Sequence, residues 1–251
     1  MLKGIFLDLS GVLYEGSRPL PGAVEAVDRL ANADLTLRFV TNTSRKNHQQ
    51  LLDDLAGMGF RIHASQLFSA PMAAAAWVRA QQRRPMLLVH PDILCEFDGL
   101  DTRNPDVVVV GDAEKDLNYQ NLDRAFQLLM EGAPLVAIGD NRYFKDAGGL
   151  HLDAGPFVRA LEYATDTRAV VTGKPAKAFF DLVLAGAALP AEQVMMFGDD
   201  IHGDIAGALG AGLQACLVRA GKYRAGDERL IEGDFQLTDS LMDWVCRFLA
   251  D

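Results

Sequence analysis

Cysteine is scarce in this chain. Cys95, Cys216 and Cys246 are odd in number, far apart and without a C-x-x-C pair. A disulfide framework and a structural zinc site are therefore not expected, and the usage points to a reduced, cytoplasmic protein. Long apolar runs are also missing. No stretch approaches the roughly 20 consecutive apolar residues that a membrane helix needs. The apolar run behind Lys3 is too short for the core of a secretory signal. Positive charge is in deficit, with 24 Lys and Arg against 34 Asp and Glu for a net charge of −10. That balance argues against nucleic acid held on a general basic surface, but not against a small anion held by one or two local cations. Phosphate-loop, dinucleotide and serine-elbow motifs are absent too: there is no G-x-x-x-x-G-K-[ST], G-x-G-x-x-G or G-x-S-x-G.

What the chain does have is a repeated rhythm. Its 251 residues suffice for one large domain or two modest ones. Gly4-Ile5-Phe6-Leu7 reads as a strand buried on both faces, and it ends in Asp8-Leu9-Ser10-Gly11. Pro19 to Pro21 reads as a stiff loop before a helix over 23–31, with Ala23, Val27 and Leu30 on one face. A strand over 35–40, a helix over 46–58 stopped by Gly59, a short strand around Leu67-Phe68 and a helix over 70–82 follow. The β-α-β-α order predicts a parallel sheet with right-handed crossovers. From Arg83 the rhythm restarts, with strands at 86–89, 107–110 and 135–138, helices at 119–130 and 156–164, and a Gly- and Asp-rich loop with a hairpin over 139–155. The first pattern resumes at 169–171. The expected architecture is α/β: a Rossmann-like, doubly wound parallel-sheet core of residues 1–77 and 168–251, with an α/β insertion at 78–167.

Four short groups at strand ends or helix starts carry the chemistry. Asp8 and Ser10 are the first. Thr41 and Asn42 offer a hydroxyl, an amide and backbone N–H groups suited to an anion. Gly173-Lys174-Pro175 sets an ammonium at a helix start. Gly198-Asp199-Asp200-Ile201-His202-Gly203-Asp204 is a carboxylate cluster directly after a strand. Singly, each is ordinary turn or surface chemistry. Together, and all at strand carboxyl ends, they point to one phosphoryl group. Apposed carboxylates need a cation between them, and hard oxygen ligands at few positions describe Mg²⁺. Asp8 is placed to attack in line and form an aspartyl-phosphate, with Lys174 holding it ionised. In the insertion, Asn141, Arg142 and Tyr143 are the candidates for touching the rest of the substrate, since Arg pairs with a second phosphate and Tyr stacks on a ring.

With these residues in hand, the chain resembles the haloacid dehalogenase superfamily of phosphohydrolases, in the subfamily whose C2-type cap is inserted between the second and third motifs. The resemblance is carried by Asp8-Leu9-Ser10-Gly11-Val12-Leu13, Phe39-Val40-Thr41-Asn42-Thr43, residues 157–164, Gly173-Lys174-Pro175 and Gly198-Asp199-Asp200. It implies Asp8 as nucleophile and Mg²⁺ held by Asp8, the Ser10 carbonyl and Asp199, with Asp204 supporting the metal site. It further implies Thr41, Asn42 and Lys174 as holders of the phosphoryl oxygens, and a small phosphorylated substrate. A homodimer contact through the cap is compatible with it, although nothing in the sequence demands an obligate interface. One position departs from the superfamily. Most of its phosphatases carry a second Asp two residues after the nucleophile, as acid for the leaving group and base for water. Here that place is Ser10. Acid–base help is worth roughly 10²–10⁴-fold, so substrates with good leaving groups are expected: pyrophosphate, phosphoramidates or aryl phosphates. The alternative is a catalytically weak protein that binds a phosphorylated ligand on the same scaffold.

Overall fold

A computed structural model describes residues 1–146 and 149–250. Two compact units emerge. The first holds residues 1–41, 49–68 and 174–251; the second holds 42–48 and 69–173.

The first unit is built on a six-stranded sheet in the order Gln236–Thr238, Gln214–Val218, Val194–Gly198, Gly4–Asp8, Thr36–Thr41, Leu67–Ser69. The central strand Gly4–Asp8 is buried throughout and runs parallel to both neighbours, with Leu7 opposite Phe197 on one side and Phe39 on the other. Its uninterrupted apolar run reflects burial on both faces. On one face Ile5 and Leu7 pack with Val27 and Leu30 of the helix Ala23–Ala31 and with Trp244 of the helix Leu241–Phe248. Trp244 meets Phe197 edge-on at 4.8 Å, and its indole N–H donates to Gln236 Oε1 at 2.7 Å. Each such large apolar side chain, fully buried, contributes about 1.5–3 kcal/mol.

Local readings shift in three places. Ahead of the loop read from Pro19 to Pro21, and ending on Pro19, the chain forms a small antiparallel hairpin, Tyr14–Glu15 with Arg18–Pro19, because Gly16 at φ 60° permits a two-residue turn and Pro19 sits where no ladder N–H is required. Helical structure begins inside the acidic motif itself, at Ile201, as a π-helical turn Ile201–Ala206 in which Ile205 N–H reaches back to the Asp200 carbonyl. The edge strand Gln236–Thr238 is too short to show in the pattern.

The second unit has a four-stranded parallel sheet ordered Val170–Val171, Leu135–Ala137, Val107–Val110, Pro85–Leu88. Val107 and Val109 face Ala74 and Val78 of the helix Ala70–Ala80, while Val108 and Val110 face Leu129 and Leu161 of the helices Tyr119–Met130 and Gly155–Thr165. Both faces are covered, which is why four valines run without alternation. The expected boundary at 78 falls inside the helix Ala70–Ala80, whose alanine face packs in this unit. The expected return at 168 likewise precedes Val170–Val171, which pairs with Leu135–Ala137. Glu162 closes the far end: its carboxylate accepts the Ala169 N–H at 2.8 Å and pairs with Arg159. The hairpin Tyr143–Asp146 with Gly149–Leu152 completes the unit.

Candidate functional site

In the first unit the chain winds outward from Gly4–Asp8 in both directions, so the carboxyl ends of Gly4–Asp8 and Val194–Gly198 flank the switch point where α/β sheets bind ligands. Asp8 ends one strand and Asp199 follows the other. Three glycines make room for the acids. A Cβ added at Gly11 (φ 84°) or Gly221 (φ 57°) would overlap the Asp199 carboxylate, and one at Gly198 would overlap that of Asp204. Such close approach of backbone to side chain is available only where no side chain intervenes.

The structure brings Asp8, Asp199 and Asp204 together, each offering a carboxylate oxygen within 4.8 Å of the others, and all three are buried. Lys174, also buried, joins the cluster. Its ammonium pairs with Asp8 Oδ1 and lies 2.6 Å from Asp204 Oδ1. The other Asp204 oxygen accepts the Asp200 N–H at 3.2 Å, so Asp204 is held from both sides. Asp199 Oδ2 accepts the Lys222 N–H at 2.7 Å.

Charge is unbalanced here, and protonation shows it. Burial, and then the charges of Asp8 and Asp204, push Asp199 up to about 8. Asp204 is pushed up to about 6 by burial and by Asp8, against the pull of Lys174. Burial would lower the Lys174 ammonium, but Asp204 and Asp8 outweigh it and hold it above the usual lysine range. Three carboxylates around one ammonium thus favour either a proton or a further cation. Hard oxygens in a buried pocket are the donors a divalent cation such as Mg²⁺ takes, and Asp8 and Asp199 could hold one, while Asp204 is engaged by Lys174 and Asp200.

The remaining predicted residues divide between the units. Ser10 is exposed and forms an isolated bridge with Tyr14, and the following Gly11 N–H donates to the Tyr14 carbonyl at 2.8 Å. Thr41 is buried at the end of Thr36–Thr41, the strand paired with Gly4–Asp8. Asn42 belongs to the second unit, where its side-chain oxygen lies so close to Gly173 that an added Cβ would sit at 2.7 Å. Asn141, Arg142 and Tyr143 are also in the second unit. Asn141 braces the loop, its carbonyl accepting the Gly155 N–H at 3.1 Å and its side chain bonded to Asp153. Arg142 and the half-exposed Tyr143 line an open cleft of about 520 Å³ together with Asp140, Leu152 and Arg159.

Two groups at the acidic site escaped the sequence reading. Lys222 donates its backbone N–H to Asp199 and its ammonium to Asp200 at 3.1 Å, and Gly221 N–H donates to Glu15 at 3.2 Å. The available signal was position: Ala220-Gly221-Lys222 follows the strand Gln214–Val218, at the same carboxyl edge as the other motifs. The Tyr14 phenol is the second, pushed up to about 12 by burial and by the Asp8 charge.

Comparison with known proteins agrees across nearly the whole chain. The family model described as haloacid dehalogenase-like hydrolase matches residues 5–103, and one described as HAD-hydrolase-like matches residues 171–244. Haloacid dehalogenase-like hydrolase domain-containing protein 2 of Bos taurus is 47% identical over 227 residues, covering 90% of this chain and 88% of the relative. Phospholysine phosphohistidine inorganic pyrophosphate phosphatase of Danio rerio is 44% identical over 233 residues, covering 90% and 86%. Among solved structures, a 4-nitrophenylphosphatase from Thermotoga maritima superimposes with a TM-score of 0.89 at 25% identity, covering 98% of this chain and 97% of that one.

Proposed function

The chain belongs to the haloacid dehalogenase-like hydrolases, and from that premise we propose that it is a Mg²⁺-dependent phosphohydrolase whose nucleophile is Asp8. The observation that carries this reading is the buried cluster of Asp8, Asp199 and Asp204 with Lys174 reaching between Asp8 and Asp204. When bound, Mg²⁺ held by Asp8, Asp199 and the Ser10 carbonyl supplies charge neutralisation for the phosphoryl group. Lys174 pairs with Asp8 and holds it in place, so that an Asp8 oxygen attacks phosphorus in line. The bond from phosphorus to the leaving atom breaks as the Asp8–phosphorus bond forms. Water then attacks the aspartyl-phosphate, releasing phosphate and restoring the Asp8 carboxylate. Thr41, with Asn42, is the group for the phosphoryl oxygens.

Ser10 sets the substrate class. A serine hydroxyl is too weak an acid to protonate an alkoxide, so the leaving group must depart unaided or take its proton from solvent. Pyrophosphate, phosphoramidates and aryl phosphates meet that demand. The name of the phospholysine phosphohistidine inorganic pyrophosphate phosphatase relative lists substrates of that kind. Ser10 also favours the second reading, a phosphoryl-ligand-binding protein with little turnover.

Hydrolysis of p-nitrophenyl phosphate with and without Mg²⁺ separates them. Metal-dependent turnover that falls by roughly 10³-fold or more in Asp8→Asn supports the enzyme. Tight phosphate-analogue binding by the wild type, with no turnover above the Asp8→Asn level, supports the binder. Ser10→Asp is expected to raise turnover of alkyl phosphates by about 10²-fold; an unchanged rate would remove Ser10 from the account.

A further inference from the structure

The turn 220–223 reaches the acidic site through two groups of a single residue to which the proposed chemistry gives no role. It follows the strand Gln214–Val218 in the first unit, and the Tyr223 N–H closes it on the Ala220 carbonyl at 3.0 Å. Within it the Lys222 N–H donates to Asp199 Oδ2 at 2.7 Å, and the Lys222 ammonium donates to Asp200 Oδ2 at 3.1 Å. One residue thus grips two consecutive acids, the first by its main chain and the second by its side chain. Asp200 is held at its other oxygen too, since Oδ1 accepts the His202 and Gly203 N–H groups at 3.0 and 2.8 Å. Its own N–H donates to Asp204 Oδ2 at 3.2 Å, so the grip extends to a third acid. The turn is tied at a further point by the Gly221 N–H, which donates to Glu15 at 3.2 Å. Packing there is tight: a Cβ on Gly221 would lie 2.0 Å from Asp199 Oδ2 and 2.6 Å from the Gly11 Cα.

Of these bonds, only the one from the ammonium needs a lysine. Its two side chains are 65% and 30% exposed, and a pair so open to water adds little to the stability of the fold. Its value is geometric. A carboxylate already bonded at one oxygen has lost its freedom to rotate before a ligand arrives, and groups that orient a ligating side chain in this way raise metal affinity. We propose that Lys222 is a positioning residue for the metal-binding carboxylate: its ammonium anchors the turn to Asp200, the anchored turn keeps the Lys222 N–H on Asp199 Oδ2, and the other Asp199 oxygen is left to take the cation. The clamp stands on the contacts just given, and its consequence for the ion rests on the reading of Asp199 as a Mg²⁺ ligand.

Hydrogen exchange of the metal-free, full-length protein tests the clamp, and calorimetric titration with Mg²⁺ tests its consequence. Lys222→Met keeps the backbone N–H and removes the anchor. Exchange over 220–223 is expected to quicken about tenfold, with exchange over the strand Gly4–Asp8 unchanged as the control for folding. The Mg²⁺ dissociation constant of the same variant should rise about tenfold. Lys222→Arg, which retains a cation for Asp200, should stay close to the wild type in both measurements. Losing a charge alters affinity by itself, and the double variant Lys222→Met/Asp200→Asn separates that effect from positioning. It removes one charge of each sign, and Asn caps a helix start as well as Asp does. Positioning keeps the double variant about tenfold weaker than the wild type; a return to wild-type affinity means that charge alone acts, and overturns the proposal. Unchanged exchange over 220–223, or an unchanged dissociation constant, in Lys222→Met overturns it as well. A wild type that binds no Mg²⁺ would defeat the metal reading instead, and the exchange result would still decide the clamp.

Discussion

Asp199 and Glu162 are both buried carboxylates, one in each unit, and they end on opposite sides of their ordinary range. Burial pushes both up. For Asp199 the next influences are Asp8 and Asp204, which push the same way, so it reaches about 8. For Glu162 they are the Ala169 N–H and the guanidinium of Arg159, which pull it below the usual carboxylate range. A satisfied acid fastens a helix to a strand; an unsatisfied one is poised for a cation. Burial alone distinguishes neither, and the partners decide.

Breaking the first site should have the largest effect on stability. Lys174→Met strands Asp8 and Asp204 without their ammonium, and a loss of about 3–5 kcal/mol at neutral pH is expected by urea denaturation. Gly11→Ala adds a methyl that overlaps the Asp199 carboxylate at a positive φ, for about 1–3 kcal/mol together with weakened Mg²⁺ binding by calorimetry. In the second unit, Glu162→Ala leaves the Ala169 N–H unpaired, for about 1–3 kcal/mol, with Mg²⁺ binding unchanged. If Glu162→Ala weakened metal binding as much as Gly11→Ala does, the contrast between the two acids would fail.

Acidity sharpens the same contrast with smaller effects. The folded pKa of Asp199 is raised, so the metal-free protein keeps a proton that the unfolded chain has already lost. Its contribution therefore favours folding least at high pH, and stability should decline as pH rises from about 4 through about 8. Mg²⁺ must displace that proton, so its affinity should climb over the upper part of this window, with proton release visible by calorimetry in two buffers of different ionisation enthalpy. Glu162 acts in the opposite sense. Its depressed pKa stabilises the fold above the ordinary carboxylate range, and that contribution is lost on acidification. Comparing the pH-stability curves of Asp199→Asn and Glu162→Gln with the wild type measures both slopes.

Much of this was legible in the chain. The apolar run Gly4–Leu7, the four valines 107–110 and the helix Tyr119–Met130 are local patterns, and the strands and helices follow them closely. Asp8, Lys174, Asp199 and Asp204 were legible because each stands beside a strand end or helix start, where a short motif shows its place. Lys222 was not. It acts on Asp199 through a backbone N–H that every residue but proline possesses. The boundary at 78 was misplaced because a helix of alanines gives no hint of which sheet it covers.

The order and polarity of residues determined the parallel α/β architecture and placed an acid at the end of two strands, because period and punctuation are local properties of a chain. Which acids share one ammonium and which glycines yield space to a carboxylate were decided only by folding. Those contacts join residues far apart in the chain, 166 positions in the case of Lys174 with Asp8, and no local preference encodes such a distance.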